Sequence, residues 1–471
     1  IVLTTGTFMR GLVHVGLNSY AGGRAGEPAS EGLSESLRKL GIEVGRLKTG
    51  TPARLAARSI DYSKLESQPG EKVIRPFSFM TDEIAQPQVN CYISYTNEKT
   101  HQIIRDNLKK SALFSGNIEG RGPRYCPSIE DKVVRFPDKT SHQTFIEPEG
   151  LLSQEMYPSG MSTSLPPDVQ LRFFLTMIVL ENVEMMRPGY AIEYDFVEPT
   201  QLKMTLETRQ VSGLFHAGQI NGTSGYEEAG AQGLLAGSNA ALMCKGEEQL
   251  IIRRDQGYIG VIVDDLVTQP TTEPYRMFTS RSEYRLLLRE DNADQRLTPL
   301  GRKLGLVSDE RWQRYQEKQA QVEAGKKVLT ENRVTSVDTE LVEKYALGNL
   351  KSGLDLETLL RRPEIEIIEL AEDFDELKRM DSAALEQLEI AVKYSGYIER
   401  QLEMVERFKE YESVKIPENI DYGKVDSLST EVREYLNNVR PLTLGQASRI
   451  QGVTPAAIAI LNVYLRKKYH G

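Results

Sequence analysis

Cysteine and histidine are scarce in this chain, and tryptophan occurs once. The three cysteines, Cys91, Cys126 and Cys244, stand far apart with no C-x-x-C pair, and five histidines are scattered over 471 residues. That pattern supports neither a disulfide framework nor a zinc site and suits a reducing compartment. No apolar run approaches the roughly 18 residues that span a bilayer, and no basic stretch precedes an apolar one at the start of the chain. Neither a membrane span nor a signal peptide is expected, and the expected location is the cytoplasm. An excess of basic residues is missing too. The 58 Lys and Arg against 67 Asp and Glu give a net charge of −9, which excludes a uniformly basic nucleic-acid coat and confines any RNA contact to local patches.

What remains is a globular chain, 39% apolar and long enough for two or three domains. Ile1-Val2-Leu3-Thr4-Thr5-Gly6-Thr7 reads as a short buried strand entering a tight turn, without an initiator Met. A buried parallel strand needs neighbours on its edges, so further sequence upstream is expected. Residues 20–41 read as a glycine-rich loop, Gly22-Gly23-Arg24, whose N–H groups can face an anion, feeding a helix. Ser30 is the expected N-cap, Leu33, Leu37 and Leu40 share one face, and Gly41 follows the end. From 42 to 200 come short β-rich runs at 73–79, 91–96, 132–136, 144–146 and 190–196.

A strand, turn and helix follow at 211–245. The helix expected over 226–243 carries Gly230, Gly233 and Gly237, each costing roughly 1 kcal/mol relative to Ala, which suggests close approach to a sheet or ligand. Beyond about 270 the pattern is charged and helical, with long helices expected over 309–329 and 383–411. Two short helices are expected within 443–468, divided by Gly452-Val453-Thr454-Pro455, with Thr454 as cap and Pro455 as first residue.

Three groups of residues suggest chemistry. Gln219 ends an apolar strand before the small-residue helix, where doubly wound folds place ligands; tight packing alone is the bland alternative. If Pro127 opens a helix, Cys126 is its N-cap with Arg124 close by, and both features lower a thiol pKa; a small buried hydrophobe is the alternative. Arg281, Arg285 and Arg289 recur at helical spacing and suit phosphate contacts, or a solvated face paired with Glu283 and Glu290.

The runs GGRAGEPAS, GRLKTGTP, TNEKTH, GPRYCPSIEDK, RPGYAIEYDF, AGQINGTSGYEEA, EPYRMFTSRSEYRLLLREDNAD and GQASRIQGVTPAAI closely resemble, in the same order, segments of the MnmG (GidA) family. The resemblance implies an α/β chain: part of an FAD-binding, two-dinucleotide-type flavoprotein fold (1–50 and 205–250), an inserted α/β domain (51–204) and a C-terminal α-helical domain (251–471) for tRNA and MnmE contact. It implies a flavin-dependent tRNA-modifying enzyme that works with the GTPase MnmE, as a heterotetramer, and forms a homodimer. The product is a carboxymethylaminomethyl or aminomethyl group on C5 of the wobble uridine. The implied cofactors are FAD, NADH and methylene-tetrahydrofolate as carbon donor.

By the same resemblance Ser30 and Gln219 contact FAD, and Cys126 is catalytic, as nucleophile or general acid. Gly122-Pro123-Arg124-Tyr125-Cys126-Pro127-Ser128-Ile129-Glu130-Asp131-Lys132-Val133-Val134-Arg135-Phe136 aligns with the proposed NAD-binding stretch, although it lacks a Rossmann fingerprint. The family's G-x-G-x-x-G loop does not occur in these residues. Two alternatives are a folate- and FAD-dependent tRNA uridine C5 methyltransferase, which lacks a module like 300–471, and a non-catalytic RNA- or GTPase-binding fragment.

Overall fold

A computed structural model describes residues 1–125, 127–450 and 452–469, without the side chains of 407 and 469. The chain divides into two compact units. The first comprises Ile1–Phe77, Glu83–Ile251 and Ile262–Met277; the second comprises Ser78–Asp82, Ile252–Val261 and Phe278–Gly471. No helix among the described residues is long and apolar enough to cross a membrane.

In the first unit Val2–Leu3 is a strand, half-buried, and pairs in parallel with Phe215–His216. The 20-residue helix Tyr226–Lys245 follows that second strand. Beside this pair lies a four-stranded antiparallel sheet in the order Asn18–Ala21, Leu12–Val15, Tyr190–Val197, Val44–Thr51. A six-stranded antiparallel sheet runs Met185–Arg187, Arg54–Ala56, Glu155–Ser159, Gln143–Pro148, Cys91–Tyr95, Glu66–Gln68. Its core joins Ile146 and Leu55 to Ile104, Ile129, Val133, Phe173 and Phe174 from three short helices. One of these, Glu98–Asp106, is started by a reciprocal cap in which Asn97 accepts from Thr100 N–H and Thr100 returns a bond to Asn97 N–H. That is the physical content of the Thr-Asn-Glu-Lys-Thr-His run.

The second unit is helical. Asp309–Glu331 packs on Ser382–Lys393 at Gly325, where a Cβ would stand 2.2 Å from Leu388 Cδ1. A further cluster gathers Val432, Leu436, Leu444, Leu461 and Leu465 from the last three helices. Thr454 Oγ1 accepts from Ala457 N–H at the start of Pro455–Tyr469, as its sequence position predicts, and Thr443 caps Leu444–Arg449.

Several expectations fail. Residues 132–135 belong to the helix Ile129–Arg135, with Phe136 at its C-cap, because Ile129 and Val133, four apart, are both buried while Val134 is exposed. Residues 73–79 form no strand. The helix after the glycine loop is Leu33–Lys39 with Gly32, not Ser30, at its N-cap, and Leu40 is 52% exposed. The span 383–411 is two helices that break at Tyr394. Residues 280–289 form no α-helix; Arg281 closes one 3-10 turn. Added Cβ atoms at Gly230, Gly233 and Gly237 would meet nothing within 4 Å, so no close packing within the chain demands those glycines.

Candidate functional site

The parallel pair ends in two turns that stand together. Gly6, at φ +56°, lies so close to Gln219 that a Cβ there would sit 3.6 Å from Gln219 Oε1. Gly218 and Gly222, both at positive φ, bracket the turn that carries Gln219. Gln232, fully buried on the helix behind, fixes this turn. Its Oε1 accepts from Gly218 N–H and Asn221 Nδ2, both at 2.9 Å, and its Nε2 donates to Thr223 Oγ1 at 2.8 Å. Sequence reading missed Gln232, whose only signal is a polar residue facing inward on a small-residue helix.

Ser30 is exposed and reaches the same turns through main chain. Its N–H donates to Phe8 carbonyl at 2.8 Å and its carbonyl accepts from Arg10 N–H at 2.9 Å. The glycine loop behaves differently from expectation. Gly22 N–H donates to Gly11 carbonyl and Gly23 N–H to Glu27 carbonyl, while Arg24 pairs with Glu27, so these groups are already engaged. Gly23 is required because a Cβ would lie 2.0 Å from the Phe8 ring.

Around the ends of these strands, and on the neighbouring antiparallel strand Tyr190–Val197, several buried polar atoms lack a partner among the described residues: Thr5 Oγ1, both ring nitrogens of His216, Asn221 Oδ1 and the Tyr194 hydroxyl. Such atoms cost about 1–3 kcal/mol each when left unsatisfied, so they suit a polar ligand at the carboxyl edge of the strands. Gln219 stands next to the Tyr194 hydroxyl without completing a hydrogen bond of good geometry. Burial, with Tyr125 nearby, pushes the Tyr194 phenol well above its ordinary range, so it stays a neutral donor. Burial pulls His216 down to about 4.

The second predicted segment meets the first through Tyr125, whose hydroxyl bonds Ser224 Oγ in the turn after Gln219. The Arg276 guanidinium lies 5.8 Å from the Tyr125 ring centroid. Cys126 itself lies outside the described residues. The helix beyond it starts at Ile129, with Ser128 Oγ accepting from Asp131 N–H. Pro127 therefore does not open the helix, and the expected N-cap position belongs to Ser128. Gly122, Pro123, Arg124, Pro127, Asp131 and Arg135 wall a cleft of about 320 Å³ together with Lys48, Leu113, Gly120, Arg121, Thr272 and Glu273.

The loop that enters this cleft is held by a buried carboxylate that the sequence did not single out. Glu193 Oε1 accepts from Glu119 N–H at 2.9 Å and Gly120 N–H at 2.7 Å, and its Oε2 meets His14 Nε2 at 2.9 Å. Burial alone would raise its pKa. The bond with His14, the Gly120 N–H, the Arg46 charge and the Glu119 N–H outweigh that and hold it below the usual carboxylate range.

The three arginines of the second unit do not form one helical face. Arg289 folds onto Asp291, with Nε at 3.0 Å and Nη2 at 3.1 Å, and donates to Leu286 carbonyl. Arg285 is exposed in a turn, and Arg281 is half-buried.

Parallel strands with a glycine turn and a small-residue helix, an antiparallel insertion and a helical C-terminal part define a class: an α/β protein carrying part of a two-dinucleotide-type flavoprotein fold with an α-helical extension. Known proteins share all of it. Residues 1–248 match the model of Glucose inhibited division protein A, 309–402 the tRNA modifying enzyme MnmG/GidA C-terminal helical domain, and 404–471 the corresponding C-terminal helical bundle. The chain is 60% identical over 467 residues to the tRNA uridine 5-carboxymethylaminomethyl modification enzyme MnmG of Syntrophotalea carbinolica, covering 99% of this chain and 75% of that protein. It is 57% identical to the MnmG of Pelobacter propionicus, covering 99% and 74%. The solved structure of Aquifex aeolicus GidA in its form I crystal superposes with a TM-score of 0.86 at 49% identity, covering 98% of this chain and 75% of that one. The chain belongs to the MnmG/GidA family.

Proposed function

We propose that this chain carries out FAD-dependent modification of tRNA, adding a carboxymethylaminomethyl or aminomethyl group to C5 of the wobble uridine together with the GTPase MnmE. The observation that carries this reading is the bond between Tyr125 and Ser224. It joins the Cys126 segment to the turn bearing Gln219, so that a cofactor site and a thiol serve one reaction. Family membership supports tRNA as substrate, and the names of the relatives supply the chemical group.

Ser30 and Gln219 would hold FAD, and the unpartnered buried polar atoms beside Gln219 fit such a polar group. When bound, FAD supplies the redox chemistry; NADH is the reductant, with 122–136 as its contact segment by resemblance, and methylene-tetrahydrofolate donates the carbon. The chain's own part is orientation and proton handling. The Tyr194 hydroxyl is a neutral donor in a buried setting. Cys126, as thiolate, adds to uridine C6 and makes C5 nucleophilic, or as thiol delivers a proton. Homodimer formation, the heterotetramer with MnmE and phosphate contacts by Arg281, Arg285 and Arg289 rest on resemblance and spacing.

Mass analysis of tRNA nucleosides tests the reading. The expected product is an aminomethyl-type uridine, lost in Cys126→Ser while flavin absorbance persists. A 5-methyluridine product would assign a methyltransferase instead, unmodified tRNA would assign a binding role, and full modification by Cys126→Ser would remove the thiol from the mechanism.

A further inference from the structure

The Tyr194 hydroxyl is buried without serving the fold. Tyr194 lies in the strand Tyr190–Val197, opposite Leu47 of Val44–Thr51, and successive side chains there point to opposite faces of the sheet. Glu193 and Asp195 take one face, where they meet His14 and Arg46. Tyr194 and Phe196 take the other and cluster with Leu47. That second face packs against the turn that carries Gln219, since a Cβ at Gly222 would stand 3.3 Å from Leu47 Cδ1 and 3.6 Å from Phe196 Cδ2.

Phe196 supplies the comparison. It is buried on the same face, two residues on, with an aromatic ring and no polar side-chain atom. Tyr194 is buried more deeply, at 0% exposure, and its hydroxyl has no partner among the described residues. Packing alone favours Phe at both positions, because an unsatisfied hydroxyl gives up its water and gains nothing. Its polar neighbours are Tyr125 and Gln219, and neither completes a hydrogen bond with it. Tyr125 turns its own hydroxyl to Ser224. The surroundings are fixed in advance, the strand by its ladder with Val44–Thr51 and the turn by Gln232. Burial also keeps the phenol protonated, so it meets a ligand as a donor.

We propose that the Tyr194 hydroxyl donates a hydrogen bond to a ring carbonyl of a ligand seated beside Gln219, a carbonyl of the kind that flavin and uracil share. The proposal rests on the reading of this chain as a flavin-dependent tRNA-modifying enzyme. A carbonyl fits where a phosphate does not, because the donor is single, neutral and set beside Leu47 and Phe196. Phosphate sites gather several N–H groups or cations instead. Gln219 next to the hydroxyl makes the flavin ring the expected source of the carbonyl. Tyr125, the residue before Cys126, makes the uracil ring the other.

Tyr194→Phe in the full chain removes the hydroxyl and keeps the ring. Denaturant melts without ligand, FAD titration followed by flavin fluorescence, and tRNA binding compare the variant with wild type. The variant should be at least as stable as wild type without ligand, because a stranded hydroxyl is gone. It should bind FAD about tenfold more weakly, the loss of one neutral hydrogen bond, with tRNA binding unchanged. A hydroxyl that only supports the fold cannot produce that combination. Unchanged FAD binding with weakened tRNA binding would assign the carbonyl to uracil. A variant less stable than wild type without ligand would show that the hydroxyl serves the fold, and unchanged binding of both ligands would leave it idle; either result overturns this inference alone. Wild type that binds neither FAD nor tRNA would overturn the functional reading and this inference with it.

Discussion

Removing the Gln232 side chain should loosen the turn that carries Gln219 more than any other single change in the first unit that keeps the core filled. Leu is close to Gln in volume, so Gln232→Leu opens little cavity and isolates the hydrogen bonds. Gly218 N–H, bonded at 2.9 Å, loses its acceptor inside a fully buried setting, at about 1–3 kcal/mol. Asn221 Nδ2 keeps His216 carbonyl at 3.0 Å, and Thr223 Oγ1 loses one donor, so each adds a smaller amount. The three are neighbours and do not add independently, which puts the total at about 3 kcal/mol. Trp312, the single tryptophan, belongs to the second unit, so its fluorescence serves as a control that should not change. Hydrogen exchange followed by mass spectrometry on peptides covering 214–232 reads the turn directly. A cost of about 3 kcal/mol corresponds to roughly 10²-fold faster exchange at Gly218, and flavin retention should fall with it. A cost below about 1 kcal/mol with unchanged protection would show that the glycine turn is held by its own backbone, and that Gln232 is a bystander.

His216 is buried neutral, with its pKa at about 4 against 6.5 when unfolded. The unfolded chain therefore binds the extra proton first, and stability falls as pH drops from about 6.5 to about 4, by about 3 kcal/mol in all. His101 and His142, both lowered mainly by burial, push in the same direction. Denaturant melts of wild type and His216→Phe should accordingly diverge in favour of the variant on acidification; parallel curves would mean that the ring has an internal partner. Glu193→Ala strands two backbone N–H groups and leaves His14 and Arg46 without their carboxylate, for a cost of about 3 kcal/mol or more, with faster exchange at Glu119 and Gly120. A loss under about 1 kcal/mol would mean that the bridge to Leu47 alone holds the loop.

The parts of this molecule legible in its sequence are those decided within a few residues. Thr454 and Pro455 start a helix because a hydroxyl cap and a fixed φ act locally. The span from Asp309 is helical over its whole expected length because its charged period needs no partner to be recognised. Local signals also misled. Val133 and Val134 read as strand by β-branching, yet Ser128 and the four-residue spacing of Ile129 and Val133 select a helix. The arginine period at 281, 285 and 289 is a coincidence of spacing, since Arg289 is turned back onto Asp291. The cleft was beyond reach for a different reason. Its anchor contacts join Glu193 to residues 73 and 179 positions away, separations over which no periodicity carries information. A weaker trace of it was present: Arg46 and Lys48 alternate in one strand, and Asp195 and Glu193 alternate in another, where apolar residues would make a better core. In the folded sheet these four stand directly opposite one another, Arg46 with Asp195 and Lys48 with Glu193. Pairing them costs desolvation that apolar residues would avoid. What the charges provide instead is a single register, since a slip by one residue would put each cation opposite the wrong face, and that register is what sets Lys48 against Gly122 in the lining of the cleft. The departure from core patterning and the candidate site are the same feature, seen once along the chain and once across the sheet.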